Sequence, residues 1–177
     1  MILITFQPLQ ETHFPLLLKW LGTHHVKAWW DQDVYWTSAL IREKYGSYVK
    51  GFKVEKGIKK PLQAYIIYAN DHPVGYIQLY SVHDFSRGEC VPLEGLPESL
   101  AAIDIFMGAE NYLGKGLGSR MMRQFLQEKV DPIYDACIVD PNTGNAQAIR
   151  AYETAGFQKI NTVKGGMITW MMRRKPL

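Results

Sequence analysis

Three glycines at alternate positions, Gly114, Gly116 and Gly118, stand beside Lys115 between a β-prone run and a helix-prone run. A helix start carries unpaired backbone N–H groups, and residues without a Cβ let an anion approach them closely. The cluster therefore reads as a cradle for phosphate. The same glycines would also let a helix N-terminus pack tightly on a strand, so the cluster alone leaves both readings open. The P-loop pattern is not met. Neither is GxGxxG, because Gly114 to Gly118 lacks the final spacing and no early strand–helix–strand unit precedes it. A second feature is electrostatic. From Asp84 to Asp104 the chain holds five acids, Asp84, Glu89, Glu94, Glu98 and Asp104, against one base, Arg87. This local excess opposes a formal net charge of +3 and suits a ligand with several ammonium groups; a solvated acidic loop would look the same.

These residues need elements to position them. Ile2 to Phe6 is β-prone, and a helix is expected from about Thr12, with Pro15 in its first turn and Leu16, Leu17, Trp20 and Leu21 as its apolar face. His24 to Asp33, with its Trp29-Trp30 pair, reads as a loop or short turn. A second helix is expected over Thr37 to Val49, and the Lys-rich Gly51 to Pro61 reads as a loop. Leu62 to Ala69 and Val74 to Val82 form a hairpin through Asn70-Asp71-His72-Pro73. Tyr76 and Gln78 alternate along that second strand, so only one of them is expected to face a site. Asp84 to Ser99 is a long loop, and Ala101 to Met107 is the strand that enters the glycine cluster. A helix then runs from about Gly116 to Lys129, a strand from Tyr134 to Val139, and a helix from Asn145 to Ala155 that stops at Gly156. Phe157 to Val163 and Met167 to Met172 are β runs joined by Lys164-Gly165-Gly166. This order predicts an α+β, mixed αβ architecture in one domain spanning 1–177.

Composition narrows the classes. Apolar residues make up 47% and charged residues 21%, as in an ordinary globular domain. Lysines and arginines form no dense stripe, which argues against nucleic acid as a partner; Arg173, Arg174 and Lys175 read as a solvated strand end. Cys90 and Cys137 lack metal-ligand spacing, so no metal is expected, and Cys137 lies in an apolar run that should bury it. Such cysteine usage fits a reducing cytoplasm. The apolar runs are too short to cross a membrane, and Met1 to Leu9 has no basic, cleavable signal pattern, so a cytoplasmic protein without membrane partners is expected. No interface pattern separates a monomer from a homodimer.

Two separated motifs resemble those of the GNAT N-acetyltransferase superfamily. Its pyrophosphate loop has Arg or Gln, two residues, Gly, one residue, then Gly or Ala; Leu113, Gly116 and Gly118 occupy those places here. Leu113 departs from the pattern by removing a polar side chain. The second motif, with Asn near a helix start and Tyr later, before Gly-Phe, is matched by Asn145, Tyr152 and Gly156-Phe157. Further blocks, Val26 to Trp30, Pro73 to Gln78, Ile103-Asp104, Leu113 to Gly118 and Asp140-Pro141 with Ala148 to Phe157, resemble aminoglycoside 6′-N-acetyltransferases. The segment Lys50 to Pro61 and the Gly165-Gly166 ending are less alike. Siderophore-pathway N-acyltransferases share much of the pattern.

The resemblance implies a GNAT-like fold, a twisted, mostly antiparallel mixed sheet flanked by helices and split where the coenzyme binds. It also implies acetyl-CoA as co-substrate and an aminoglycoside or polyamine as acceptor. It assigns Asp104 as the carboxylate that accepts the amine proton, with Ile103 and Ile105 expected to strip water from it. Tyr152 would protonate the leaving thiolate, whose thiol has a pKa of about 8.5. Backbone of Phe106 and Met107 would pair with the pantetheine arm, Gly114, Lys115, Gly116, Leu117, Gly118 and Ser119 would hold pyrophosphate, and Asn145 and Ala148 would contact the arm. Trp30, Gln78, Asp104 and Asp140 would meet the acceptor. A hydroxylamine or other metabolic amine as acceptor, or a silent coenzyme-binding module, are the alternatives.

Overall fold

The computed structural model describes residues 2–85 and 93–177, so Arg87, Glu89 and Cys90 of the acidic stretch lie outside the described residues. In chain order the regular elements are β1 (Ile4–Pro8), α1 (Phe14–Leu21), α2 (His24–Lys27), α3 (Ser38–Val49), β2 (Phe52–Glu55), β3 (Ile58–Pro61), β4 (Gln63–Ala69) and β5 (His72–Ser81). They continue with β6 (Leu100–Met107), α4 (Leu117–Phe125), β7 (Ala136–Val139), α5 (Ala146–Thr154), β8 (Gln158–Val163) and β9 (Ile168–Arg174). A seven-stranded sheet has the order β1-β4-β5-β6-β7-β9-β8, and β2 pairs with β3 separately. β6 and β7 run parallel, whereas β1–β4, β4–β5, β7–β9 and β8–β9 are antiparallel. The class is α+β, as expected. The chain forms two compact units, residues 1–79 with 104–115 and residues 80–103 with 116–177.

In the first unit the β4–β5 hairpin closes through Asn70-Asp71, with Ala69 opposite His72. Asn70 takes the left-handed conformation at φ 54 that asparagine tolerates, and its Oδ1 accepts from the Leu3 N–H at 3.0 Å. α1 accommodates Pro15 in its first turn, where no intrahelical N–H bond is lost, and buries Phe14, Leu17, Trp20 and Leu21. The expected Leu16 is only half-buried, because the inner face of the helix falls to Phe14, Leu17, Trp20 and Leu21 at helical spacing. α3 is capped by Thr37, whose Oγ1 accepts from the Leu40 N–H at 3.2 Å, and it buries Ile41, Tyr45 and Tyr48 at helical spacing. Each such full burial stabilises by roughly 1.5–3 kcal/mol.

Two expectations fail in this unit. The 24–33 segment contains a one-turn helix, α2, because the Ala28 and Trp30 N–H groups reach back to His24 and Val26. The Lys-rich 51–61 segment is a hairpin, not a loop. Lys56 and Gly57 hold φ of 50 and 77, the two positive values a two-residue hairpin turn requires, and Glu55 pairs with Ile58. Its lysines hid the strands, since neither carries a run of buried apolar residues.

In the second unit a core of Val82, Leu100, Ala102, Ala136, Ile138, Val163 and Trp170 joins the start of β6 to β7, β8 and β9. Among the described residues β6 pairs with β7 only from Leu100–Ala136 to Ala102–Ile138, while β6 itself continues to Met107. α4 buries Leu117, Met121, Met122 and Phe125 and passes into a wider π turn at Leu126–Val130. α5 ends at Gly156, which takes φ 99 as a left-handed stop. β7 is shorter than expected, starting at Ala136. Arg173 is not a solvated strand end: its guanidinium grips Asp131 with two bonds of 2.7 and 3.0 Å, the side chains 12% and 18% exposed. The strand register turns Arg173 toward the turn after α4, whereas Arg174 remains exposed. Cys137 is buried, as expected.

Candidate active site

The first unit assembles a directional chain of side-chain hydrogen bonds. Tyr76 and Gln78 are two residues apart on β5, and residues two apart on a strand share a face. The expectation that only one could face the site is therefore wrong: the Tyr76 hydroxyl donates to Gln78 Oε1 at 2.7 Å. Gln78 Nε2 in turn donates to Asp104 Oδ2 at 2.7 Å. Asp104 is half-buried on β6. Ile103 and Ile105 precede and follow it on the strand, so they project to the opposite face and do not surround its carboxylate.

Aromatic rings enclose the chain. The Tyr76 ring stacks on Phe106 with centroids 5.4 Å apart, and Trp30 meets Tyr76 and Phe106 edge-on at 6.1 and 5.0 Å. Tyr45 meets Tyr76 at 5.6 Å and Tyr48 at 5.3 Å. Burial pushes the Tyr48 phenol up to about 12, and the Asp104 and Asp31 carboxylates add to that shift. Burial likewise raises Tyr45 and Tyr76 well above the ordinary tyrosine range. These phenols stay protonated donors across the physiological range. Among the described residues the buried Nε1 groups of Trp30 and Trp36 and the buried Tyr45 hydroxyl make no well-formed hydrogen bond, although the Trp30 side chain acts on the Tyr45 phenol and opposes its rise. Asp31 pairs with Lys44 at 2.7 Å, and Lys44 lies 5.2 Å from the Trp36 ring centre.

The end of β6 is held at close quarters. A Cβ on Gly75 would lie 2.6 Å from the Phe106 carbonyl oxygen, and one on Gly108 would fall within the Trp20 indole. The Gly108 and Ala109 N–H groups both donate to the Val74 carbonyl, and the Met107 carbonyl accepts from His25 Nε2 at 2.9 Å. A groove of about 660 Å³ beside this strand end is lined by Trp20, His25, Pro73 and residues 108–111, among others.

The glycine loop that follows β6 leaves its main chain uncovered. Gly114 and Gly116 hold φ of 70 and 71, which other residues resist, and a Cβ at Gly114, Gly116 or Gly118 would meet nothing within 4 Å. In the second unit, α4 begins at Leu117 with Gly116 as its N-cap, and no side chain caps the first turn. Its leading N–H groups thus remain available to an anion, and the helix dipole favours one there. Leu117 is buried, so it offers backbone only, and the Ser119 hydroxyl donates to the Gly116 carbonyl at 3.2 Å. Lys115 is exposed. This donor set fits a pyrophosphate.

α5 packs beside α4, and the Arg123 guanidinium donates to the Thr154 carbonyl at 3.2 Å. Asn145 caps α5, accepting from the Ala148 N–H at 3.2 Å, which leaves its amide N–H₂ for another partner. Tyr152 is half-buried with its ring 5.9 Å from Phe157, and Asp140 is half-buried just past β7.

The structure thus brings Trp30, Gln78, Asp104 and Phe106 into one cluster, and the loop residues and α5 residues into the elements expected of them. Sequence reasoning missed Tyr45, Tyr48, Trp36, Asp31 and Lys44. The Ile41, Tyr45, Tyr48 spacing on one helix face was the available signal for two of them. Among the described residues no group of three His, Cys, Asp or Glu side chains could hold a metal, and no helix is long and apolar enough to cross a membrane.

Comparison with known proteins places this geometry. Residues 10–164 match the acetyltransferase (GNAT) domain family. An aminoglycoside N(6′)-acetyltransferase type 1 from Klebsiella pneumoniae is 29% identical over 162 residues, covering 90% of this chain and 76% of that protein. The crystal structure of aminoglycoside acetyltransferase AAC(6′)-Ib with coenzyme A and kanamycin is 27% identical, with a TM-score of 0.79 over 98% of this chain and 95% of that one. Spermidine N-acetyltransferase from Vibrio cholerae, 13% identical with a TM-score of 0.72 over 97% of this chain and 95% of that one, shares the fold. The chain belongs to the GNAT acetyltransferase family and is an acetyl-CoA-dependent N-acetyltransferase.

Proposed function

We propose that the whole chain acts as one acetyltransferase domain that acetylates the 6′-amine of an aminoglycoside-like polycation in the cytoplasm. The observation that carries this reading is the Asp104 carboxylate, held by Gln78 among Trp30, Tyr76 and Phe106 on the strand that runs into the glycine loop. An ammonium group is drawn to a carboxylate and to aromatic faces, and a flat sugar ring packs against indole. The kanamycin-bound relative, similar over nearly the whole chain, supports the choice of an amino sugar.

Bound acetyl-CoA supplies an activated thioester. The Gly114 to Ser119 backbone and Lys115 hold its pyrophosphate, while Phe106, Met107, Asn145 and Ala148 meet the pantetheine arm. Asp104 accepts a proton from the acceptor amine, because only the neutral amine carries the lone pair that attacks. Tyr152 gives its phenolic proton to the departing sulfur. Asp140 pairs with a further ammonium of the acceptor, and Trp30 forms its apolar wall.

The test is coenzyme-A thiol release from acetyl-CoA with kanamycin-like sugars, polyamines, hydroxylamines and peptide N-termini, followed by NMR location of the acetyl group. Turnover of the sugars with the acetyl on the 6′-nitrogen is expected. Activity confined to the other three classes would overturn the amino-sugar reading.

A further inference from the structure

We propose that Tyr76 is a positioning residue for the transfer: its buried hydroxyl fixes which end of the Gln78 amide meets Asp104. The inference rests on the reading of Asp104 as proton acceptor. A glutamine amide has two ends of nearly equal shape and opposite function, a donor N–H₂ and an acceptor C=O. As the proton acceptor of the proposed transfer, the Asp104 carboxylate can only accept from the amide, so it requires the N–H₂ end. Nothing in the shape of the amide enforces that choice.

Tyr76 enforces it. Its side chain is fully buried between Phe106, Trp30 and Tyr45, so no water substitutes for a lost partner. Among the described residues the acceptor for its O–H is Gln78 Oε1, at 2.7 Å. Reversing the amide would set Oε1 against the Asp104 carboxylate and turn the N–H₂ end toward the phenolic oxygen, so the buried phenolic O–H would lose its acceptor. Burial also keeps the phenol protonated and therefore donating. The lock holds Asp104 by Oδ2 alone. Asp104 Oδ1 has no protein hydrogen bond among the described residues and is presented to the amine. Neither Tyr76 nor the locked amide oxygen needs to touch the substrate for this to work.

The decisive experiment is a double-mutant cycle in the full-length protein, with whichever acceptor the wild type turns over fastest. Tyr76→Phe keeps the ring and its packing and removes only the O–H. It is expected to lower kcat by about tenfold, close to one hydrogen bond to a charged chain, while acetyl-CoA affinity by titration is unchanged. In a Gln78→Leu background the same change is expected to cost nothing further. Equal losses in both backgrounds, or wild-type kcat for Tyr76→Phe alone, would overturn the proposal. Should Tyr76→Phe fold poorly, NMR of the wild type decides: the Gln78 side-chain N–H₂ protons should exchange slowly with solvent, and rapid exchange would rule out the lock. Failure of every amino sugar as acceptor would sink the earlier reading without touching this one, because the cycle can be run on any amine that is acetylated.

Discussion

On the function proposed above, the unit of residues 1–79 and 104–115 would present side chains to its ligand, whereas the unit of 80–103 and 116–177 would present main chain. In the first, Tyr76, Gln78 and Asp104 form a chain in which each atom has one role and one direction. In the second, the first turn of α4 has no side-chain cap, so its N–H groups would do the binding, and side-chain identity would matter mainly where the backbone must turn. The contrast follows from what each ligand offers. A pyrophosphate is the same in every turnover and can be met by a fixed array of amides. An acceptor amine must be chosen among many, deprotonated and aimed, which calls for specific functional groups.

The contrast makes graded predictions. Asp104→Asn should give the largest effect, a fall in kcat of about 10²–10³, with acetyl-CoA affinity by calorimetry unchanged. A variant that turns over normally would remove the proton-acceptor role and much of the distinction drawn above. Tyr152→Phe lies in the main-chain unit yet is predicted to behave like a side-chain residue, lowering kcat by roughly 10–100-fold with the acceptor KM unaffected. Steady-state rates that match the wild type would remove the proton-donor role from Tyr152. Gly116→Ala forces a Cβ into the left-handed region at φ 71 and should weaken acetyl-CoA binding by about fivefold, roughly 1 kcal/mol, leaving acceptor affinity alone. Gly118→Ala is the control: it has open space and no positive φ, so titration should show little change. The smallest effect is a gain. Leu113→Gln restores a polar side chain ahead of the glycine loop and should tighten acetyl-CoA binding by about twofold; tighter acceptor binding instead would blur the division of labour.

Much of this was legible in the sequence because the relevant signals are local. The αL stop at Gly156 and the hairpin at Asn70 each depend on a few adjacent residues. So does the glycine loop. What stayed hidden depends on partners distant in sequence. Asp131 lies 42 residues from Arg173, and no local pattern announces their bidentate pair. Gln78 and Asp104 are 26 apart, so their bond needed the sheet order, and the Tyr76–Gln78 bond was missed through a misapplied strand period. The β2–β3 hairpin was hidden for a third reason: its strands are half-exposed and lysine-bearing, so the burial pattern that betrays most strands is absent.

Gly75 and Gly108 also constrain how this enzyme can evolve. Any side chain at either position displaces β6 against Phe106 or Trp20 before it can touch a ligand. Selection for a new acceptor therefore has no gradual path through them, since the first step already misplaces Asp104. Trp29 and Tyr35, 50% and 86% exposed, can be exchanged without repacking the fold. In a saturation-mutagenesis library under antibiotic selection, the two glycines should tolerate no replacement while those two aromatic positions drift freely.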